Sequence, residues 1–159
     1  MNDLTPKLLH DNQALFLTSP INIRYLTGFS GLSPTEREAY LLVTSQKWHL
    51  FTFDLYREEA ELVTKTNPEV EVHIITPDHR LSKHLSEILK KNNFSTLGFE
   101  QNAIHYKEYI DLKQVFATIS FVPDSGIVEK LRTWKSSQEI IALKRAIRIT
   151  DECFSFIQT

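Results

Sequence analysis

Three carboxylates stand where an α/β protein tends to place chemistry. Asp54, Glu100 and Asp124 each follow a segment that reads as a β-strand, and such strand ends gather along one edge of a sheet. Converging there, they could hold divalent cations for phosphodiester hydrolysis. The plainer chemistry of the same residues is capping: Asp54 and Asp124 accept backbone N–H groups of the turns or helices that follow, and Glu100 sits in an exposed loop. The six histidines (10, 49, 73, 79, 84 and 105) are scattered. His79 and His84, five apart on an expected helix, miss the i, i+4 spacing of a shared ligand face, and the set reads as surface or strand-edge residues. No G-x-G-x-x-G, P-loop, H-E-x-x-H or metal-spaced cysteine pair is present. The single cysteine, Cys153, cannot form an internal disulfide, and its place on an apolar helix points to core packing rather than catalysis. In Gly28-Phe29-Ser30-Gly31 the glycines permit positive φ and a close backbone approach. Phe29 between them is either an exposed contact or, the reading preferred here, a plug folded under the sheet.

The elements that must position these residues follow from periodicity and turn chemistry. Ala14–Thr18 reads as a strand ended by Ser19-Pro20, and Ile21–Thr27 alternates with period two up to Gly28. Leu32–Glu38 is a polar loop. Ala39–Val43 and Trp48–Phe53 form an antiparallel hairpin across Thr44-Ser45-Gln46-Lys47. A helix over Asp54–Val63 with Asp54 as cap leads to a strand at Val70–Ile75. Thr76-Pro77-Asp78 then opens a helix whose buried stripe is Leu81, Leu85, Ile88 and Leu89, closed by Lys90-Lys91-Asn92-Asn93. Thr96–Glu100 is a strand, Ile104–Phe116 a helix, Thr118–Val122 a strand and Ser125–Leu131 a short helix. This alternation gives an α/β class with a mixed sheet.

The last stretch, Trp134–Thr159, is a helix opened by a capping box, Ser136 with Glu139. Ile140, Leu143, Ile147, Phe154 and Ile157 form one apolar row; Ala142, Ala146, Ile149, Cys153 and Phe156 form a second. So wide an apolar arc needs partners on more than one side, and no Gly or Asn closes the helix, so the expectation is the front of a longer protein. With 42% hydrophobic and 24% charged residues in 159, the composition is that of a globular domain. A net charge of −2 argues against a nucleic-acid binder relying on a strong positive field. No signal peptide and no apolar run near the ~20 residues of a membrane span is present, so no membrane partner and a cytoplasmic location are expected.

Taken in order, several segments resemble the N-terminal domain of the creatinase/prolidase/Xaa-Pro aminopeptidase family, the pita-bread metallopeptidases. They are Asn22-Ile23-Arg24-Tyr25-Leu26-Thr27-Gly28-Phe29-Ser30-Gly31, Tyr40-Leu41-Leu42-Val43 with His49-Leu50-Phe51-Thr52, and Tyr56-Arg57-Glu58-Glu59-Ala60. Leu97-Gly98-Phe99-Glu100 and Leu131-Arg132-Thr133-Trp134-Lys135-Ser136, running into Glu139-Ile140 and Ala146, complete the set. The resemblance implies a mixed β-sheet flanked by helices with ribonuclease-H-like topology over residues 1–132, an extra C-terminal helix, and residues 133–159 as the start of a catalytic domain.

In the family that second domain binds two divalent metal ions (Mn, Co or Zn) through Asp, Asp, His, Glu and Glu and cleaves the bond before proline. The implied role here is non-catalytic: helping substrate-length selection and dimerisation of a Xaa-Pro dipeptidase or aminopeptidase. Catalytic residues, metal ligands and cofactors are expected to be absent from the fragment itself. A peptide substrate and a homodimer are the implied partners, with Phe29, Tyr56 and Arg57 as candidate substrate-binding residues. Aminopeptidase-type members carry Asp-Gly-Arg-Tyr after the second hairpin strand; this chain has Phe53-Asp54-Leu55-Tyr56, with Leu55 in place of that Arg and Arg57 two residues on. The competing readings are a peptidase-like protein-binding module without catalysis and the carboxylate-metal nuclease.

Overall fold

Thr44 closes the central hairpin by exchanging hydrogen bonds with Lys47: its hydroxyl donates to the Lys47 carbonyl at 2.6 Å and accepts the Lys47 N–H at 3.0 Å. The computed structural model describes residues 5–9, 13–31 and 36–158. Within them run α1 (Thr5–Leu8), β1 (Gln13–Leu17), α2 (Pro20–Thr27), β2 (Ala39–Val43) and β3 (Trp48–Phe53). After a 3₁₀ turn (Asp54–Tyr56) come α3 (Arg57–Thr66), β4 (Val70–Ile75), α4 (Leu81–Lys91), β5 (Thr96–Glu100), α5 (Tyr106–Val115) and β6 (Ser120–Asp124). The strands form one sheet in the order β4-β3-β2-β1-β5-β6. Only the β2 pairings are antiparallel; β1 with β5, β3 with β4 and β5 with β6 run parallel. The sheet is therefore mixed, as expected, and the antiparallel second strand gives the ribonuclease-H-like order, widened by β4. Pro123 sits on the edge strand β6, where a missing N–H costs no ladder bond.

Period-two burial divides the strands between two faces. Ala14, Phe16, Leu42, Phe51 and Leu97 pack with Leu85, Ile88 and Leu89 of α4 and Leu112 of α5. On the opposite side α2 lies against β2, and α3 against β3 and β4. A helix on each face is what parallel strands demand, because both their faces must leave water.

Two elements depart from the sequence reading. Residues 21–27 are helical, not a period-two segment: Ser19 caps the first turn, Pro20 sits at its start, and Gly28 closes it at φ 78° with its N–H on the Arg24 carbonyl. Ile23 and Leu26, three apart, are buried while Ile21 is exposed, so the 3.6-residue period governs. The helix expected from Asp78 begins at Leu81 instead, since Thr76 and His79 close a turn of their own: the Thr76 N–H donates to the His79 carbonyl at 3.1 Å, and the Thr76 hydroxyl accepts the His79 N–H at 3.0 Å. His10 and residues 32–35 of the expected loop lie outside the described residues.

Glu100 corrects a further expectation. It lies not in an exposed loop but at the end of β5, 4% exposed. Its Oε2 accepts the N–H groups of Thr18 at 2.6 Å and Ser19 at 2.8 Å, and its Oε1 accepts the Asn22 Nδ2 at 2.6 Å. One carboxylate thus joins β5 to the end of β1 and the first turn of α2, where a negative charge also complements the helix dipole.

Residues 129–159 form a second unit comprising most of α6 (Ile127–Thr133) and all of α7 (Ser137–Ile157). The Ser136–Glu139 capping box is present, and α7 buries none of its residues. Cys153 is accordingly exposed rather than packed in a core.

Replacing Glu100 with Ala removes the buried acceptor of the Thr18 and Ser19 N–H groups and of the Asn22 side-chain amide. The expected loss is about 2–4 kcal/mol of unfolding free energy, read from urea denaturation. A loss below ~0.5 kcal/mol, the scale of an exposed control such as Glu61→Ala, would contradict this role.

Candidate functional site

The segment most like a recognition surface is the corner where the Gly28–Gly31 loop meets the start of α3. Phe29 is 0% exposed, so the plug reading holds, and its ring meets Tyr56 edge-on at 6.3 Å and 80°. Phe29 therefore offers no surface of its own and acts from beneath Tyr56. The Ser30 hydroxyl donates to the Glu59 carboxylate. A side chain at Gly31 would collide with that carboxylate and stand 2.9 Å from the Tyr56 ring, which explains the glycine. Behind the loop a cavity of about 500 Å³ is lined by Tyr25, Gly28, Ser30, Glu59, Leu62 and Asn67, among others.

Tyr56 is partly exposed. Partial burial first, and then the charges of Glu38, Glu36 and Glu59, hold its phenol above the ordinary value of 10, so it remains a hydrogen-bond donor at neutral pH. Arg57 is exposed but not free: its Nε and Nη2 reach Asp54 Oδ1 at 2.8 and 2.6 Å. Asp54 thus pairs with Arg57 rather than capping α3 in the manner expected.

The three carboxylates do share one edge, yet they do not converge. β3 is separated from β5 by β2 and β1, which sets Asp54 about 14 Å away at ~4.8 Å per strand. Glu100 faces the start of α2, and Asp124 accepts the N–H groups of Gly126 at 3.1 Å and Ile127 at 2.9 Å, the capping role. The metal-nuclease geometry is absent from this trio.

A cluster that the sequence reading missed lies on the α4 side of the sheet. His49 on β3 and His73 on β4 face the same way, two residues out of register, with His49 Nδ1 and His73 Nε2 3.0 Å apart. Glu71 stands 3.9 Å from His49 Nδ1 and 3.8 Å from His73 Nε2. His84 on α4 continues the row, its ring centroid 5.3 Å from His73, and His79 stacks on His84 at 3.8 Å and 16°. The sequence reading put His79 on the helix with His84; the Thr76–His79 turn puts it outside, free of helical spacing. His49 is 7% exposed, neither surface nor edge. Burial first, then the facing His73 ring and Lys47 and Lys91, push its pKa down from 6.5 to about 4 against the opposing pull of Glu71. His73 and His84 are also lowered, in each case chiefly by burial. Alternation was the available signal: Glu71 and His73 are two apart on one strand, opposite His49 and Phe51 on the next.

A smaller cavity of about 270 Å³ is lined by Phe16, Tyr40, Leu81, Glu108 and Leu112, among others. The Tyr40 hydroxyl donates to Glu108 at 3.5 Å, and burial followed by that carboxylate raises its pKa to about 12.

Comparison with known proteins places this geometry. The model of the creatinase/prolidase N-terminal domain matches residues 10–134. The uncharacterized peptidase YqhT of Bacillus subtilis is 32% identical over 145 residues, which cover 91% of this chain and 38% of that protein. The structure of a Xaa-Pro dipeptidase from Bacillus anthracis superposes with a TM-score of 0.74 at 28% identity, covering 91% of this chain and 38% of that one. The N-terminal domain of the cytoplasmic peptidase PepQ from Mycobacterium tuberculosis gives 0.63 at 25% identity, covering 82% of this chain and 95% of that domain. No helix among the described residues is long and apolar enough to cross a membrane.

The histidine row makes stability depend on pH. Between 6.5 and about 4 the unfolded chain binds the proton that folded His49 refuses, so stability falls as pH falls through that window. The expected loss is about 1–2 kcal/mol after solvent screening. His49→Phe should flatten that part of the melting-temperature profile; an unchanged slope would refute the assignment.

Proposed function

The chain belongs to the creatinase/prolidase N-terminal domain family, and on that premise we propose that it is the non-catalytic first domain of a cytoplasmic metallopeptidase that cleaves Xaa-Pro bonds. The observation that carries this reading is the match over residues 10–134 combined with length: the chain spans 38% of the Bacillus relatives to which it is similar. A peptidase-family domain is what such a match supports; the substrate and the partner role are inferences from it. Residues 133–159 would begin the domain that holds the metals.

The two divalent ions implied by the family need Asp, Asp, His, Glu and Glu together. The candidate ligand groups among the described residues are instead His49-Glu71-His73 and His79-His84-Glu87, which do not fit that centre. No hydrolytic step is therefore assigned to this chain. Its part is shape. Tyr56, propped from beneath by Phe29, and Arg57, held by Asp54, would form a wall beside the path of a bound peptide and exclude substrates that extend too far. Arg57 is tied to Asp54 at 2.6 Å, so it would act as a fixed obstacle more than as a partner for a substrate carboxylate.

The chain of 159 residues should show no Xaa-Pro cleavage with Mn²⁺ or Co²⁺, since metal-assisted hydrolysis needs ligands to hold the ion and its water. In a longer protein that carries the five-ligand set, Tyr56→Ala and Arg57→Ala should raise kcat/KM for tripeptides relative to dipeptides by about tenfold, ~1.4 kcal/mol of lost exclusion. Metal-dependent cleavage by the 159-residue chain, or an unchanged ratio in both variants, would overturn the respective part of the proposal. A following domain without the five ligands would turn the reading to a protein-binding module.

A further inference from the structure

We propose that His49, His73 and Glu71 form a binding site for a divalent transition-metal ion of the zinc class, bridging strands β3 and β4. The proposal does not depend on the peptidase reading. The three ligand atoms lie within 4.8 Å of one another. His49 Nδ1 and His73 Nε2 stand 3.0 Å apart, near the ligand-to-ligand edge of about 3.3 Å that tetrahedral zinc requires with Zn–N near 2.0–2.1 Å, and Glu71 brings Oε2 to 3.9 Å from the first and Oε1 to 3.8 Å from the second.

The site is built on rigid elements. Parallel pairing sets His49 opposite Glu71 and Phe51 opposite His73, so the three ligands share one face through backbone register alone. His73 is held by stacking on Phe51, at 5.0 Å and 24°, and by the His84 ring, which lies 5.3 Å from His73 and 5.8 Å from Phe51. His84 is itself fixed by a hydrogen bond between its Nε2 and the Ile74 carbonyl at 3.2 Å. These contacts restrict rotation of the His73 ring. Both imidazoles are neutral at physiological pH, because burial lowers their proton affinity, and the neutral ring is the form that coordinates.

Two imidazoles and one carboxylate select the metal class. Nitrogen donors suit zinc, copper, nickel and cobalt, whereas magnesium and calcium require oxygen. Glu71 is exposed on the solvent side, which leaves room there for water as a fourth ligand. Coordination breaks the His49–His73 hydrogen bond. The shared N–H proton moves to the other nitrogen of its own ring, so both ligands become acceptors and no proton leaves the pair. Lys47 and Lys91 act on His49 with the same sign as the ion and oppose its binding, and Glu71 offsets them.

The test is Zn²⁺ titration of the 159-residue chain without added histidines, followed by calorimetry and by thermal melting, with Co²⁺ as the spectroscopic probe. The expected result is one ion per chain, a raised melting temperature, and the intense visible bands of four-coordinate cobalt. His73→Gln and Glu71→Gln should each weaken binding about 10- to 100-fold. His105→Gln should leave it unchanged. Three outcomes would overturn the proposal: no binding at millimolar Zn²⁺, binding unaltered in His73→Gln, or binding lost in His79→Ala and kept in His73→Gln. The last would assign the ion to His79, His84 and Glu87.

Discussion

Glu100 is the constraint on which the first half of the fold depends. A carboxylate buried at 4% exposure is costly unless its oxygens are saturated. Here it accepts two successive backbone N–H groups and a side-chain amide. Those donors belong to the exit of β1 and the entry of α2, so one residue of β5 fixes where the chain leaves the sheet. Arg37 reinforces the same edge from the other side, donating to the Thr18 carbonyl at 3.0 Å and the Ala103 carbonyl at 2.7 Å. With the start of α2 fixed, Gly28 falls eight residues later, and the Gly28–Gly31 loop is delivered onto α3.

That delivery makes the Tyr56 corner. Phe29 can be buried only because Gly28 turns the chain at positive φ, and Gly31 can lie against Glu59 and Tyr56 only because it has no side chain. The segment that most resembles the peptidase family is therefore a mechanical unit as well as a signature. Its glycines are required by backbone geometry and its phenylalanine by packing, whereas Tyr56 and Arg57 are left at the surface.

The opposite face of the sheet follows different physics. Most of it is a conventional apolar core under α4 and α5, but toward the edge strand β4 the core gives way to imidazoles. Histidine is tolerated there because neutral rings stack and hydrogen-bond with little desolvation cost, and their depressed proton affinity keeps them neutral. A polar row between two strands and a helix narrows the conditions under which the edge stays closed.

Local chemistry in the sequence settled the hairpin, the β4 and β5 segments, the leucine stripe of α4 and the capping box of α7, since turn residues, alternation and caps act within a few positions. Family membership was also legible, because it rests on ordered segments rather than on any single residue. The helix at α2 was legible in principle: Ser19-Pro20 and Gly28 bracket it, and the period-two pattern outweighed them. Three things were decided by tertiary structure alone. Glu100 is a buried acceptor because its donors lie 78 to 82 residues away. Asp54 fails to meet Glu100 and Asp124 because two strands intervene between β3 and β5. His49, His73, His79 and His84 come together because strand pairing and the Thr76–His79 turn bring them side by side. Sequence spacing reports only what a residue meets within its own element; which side chains share a site depends on strand order and register, fixed by the whole sheet burying its two faces.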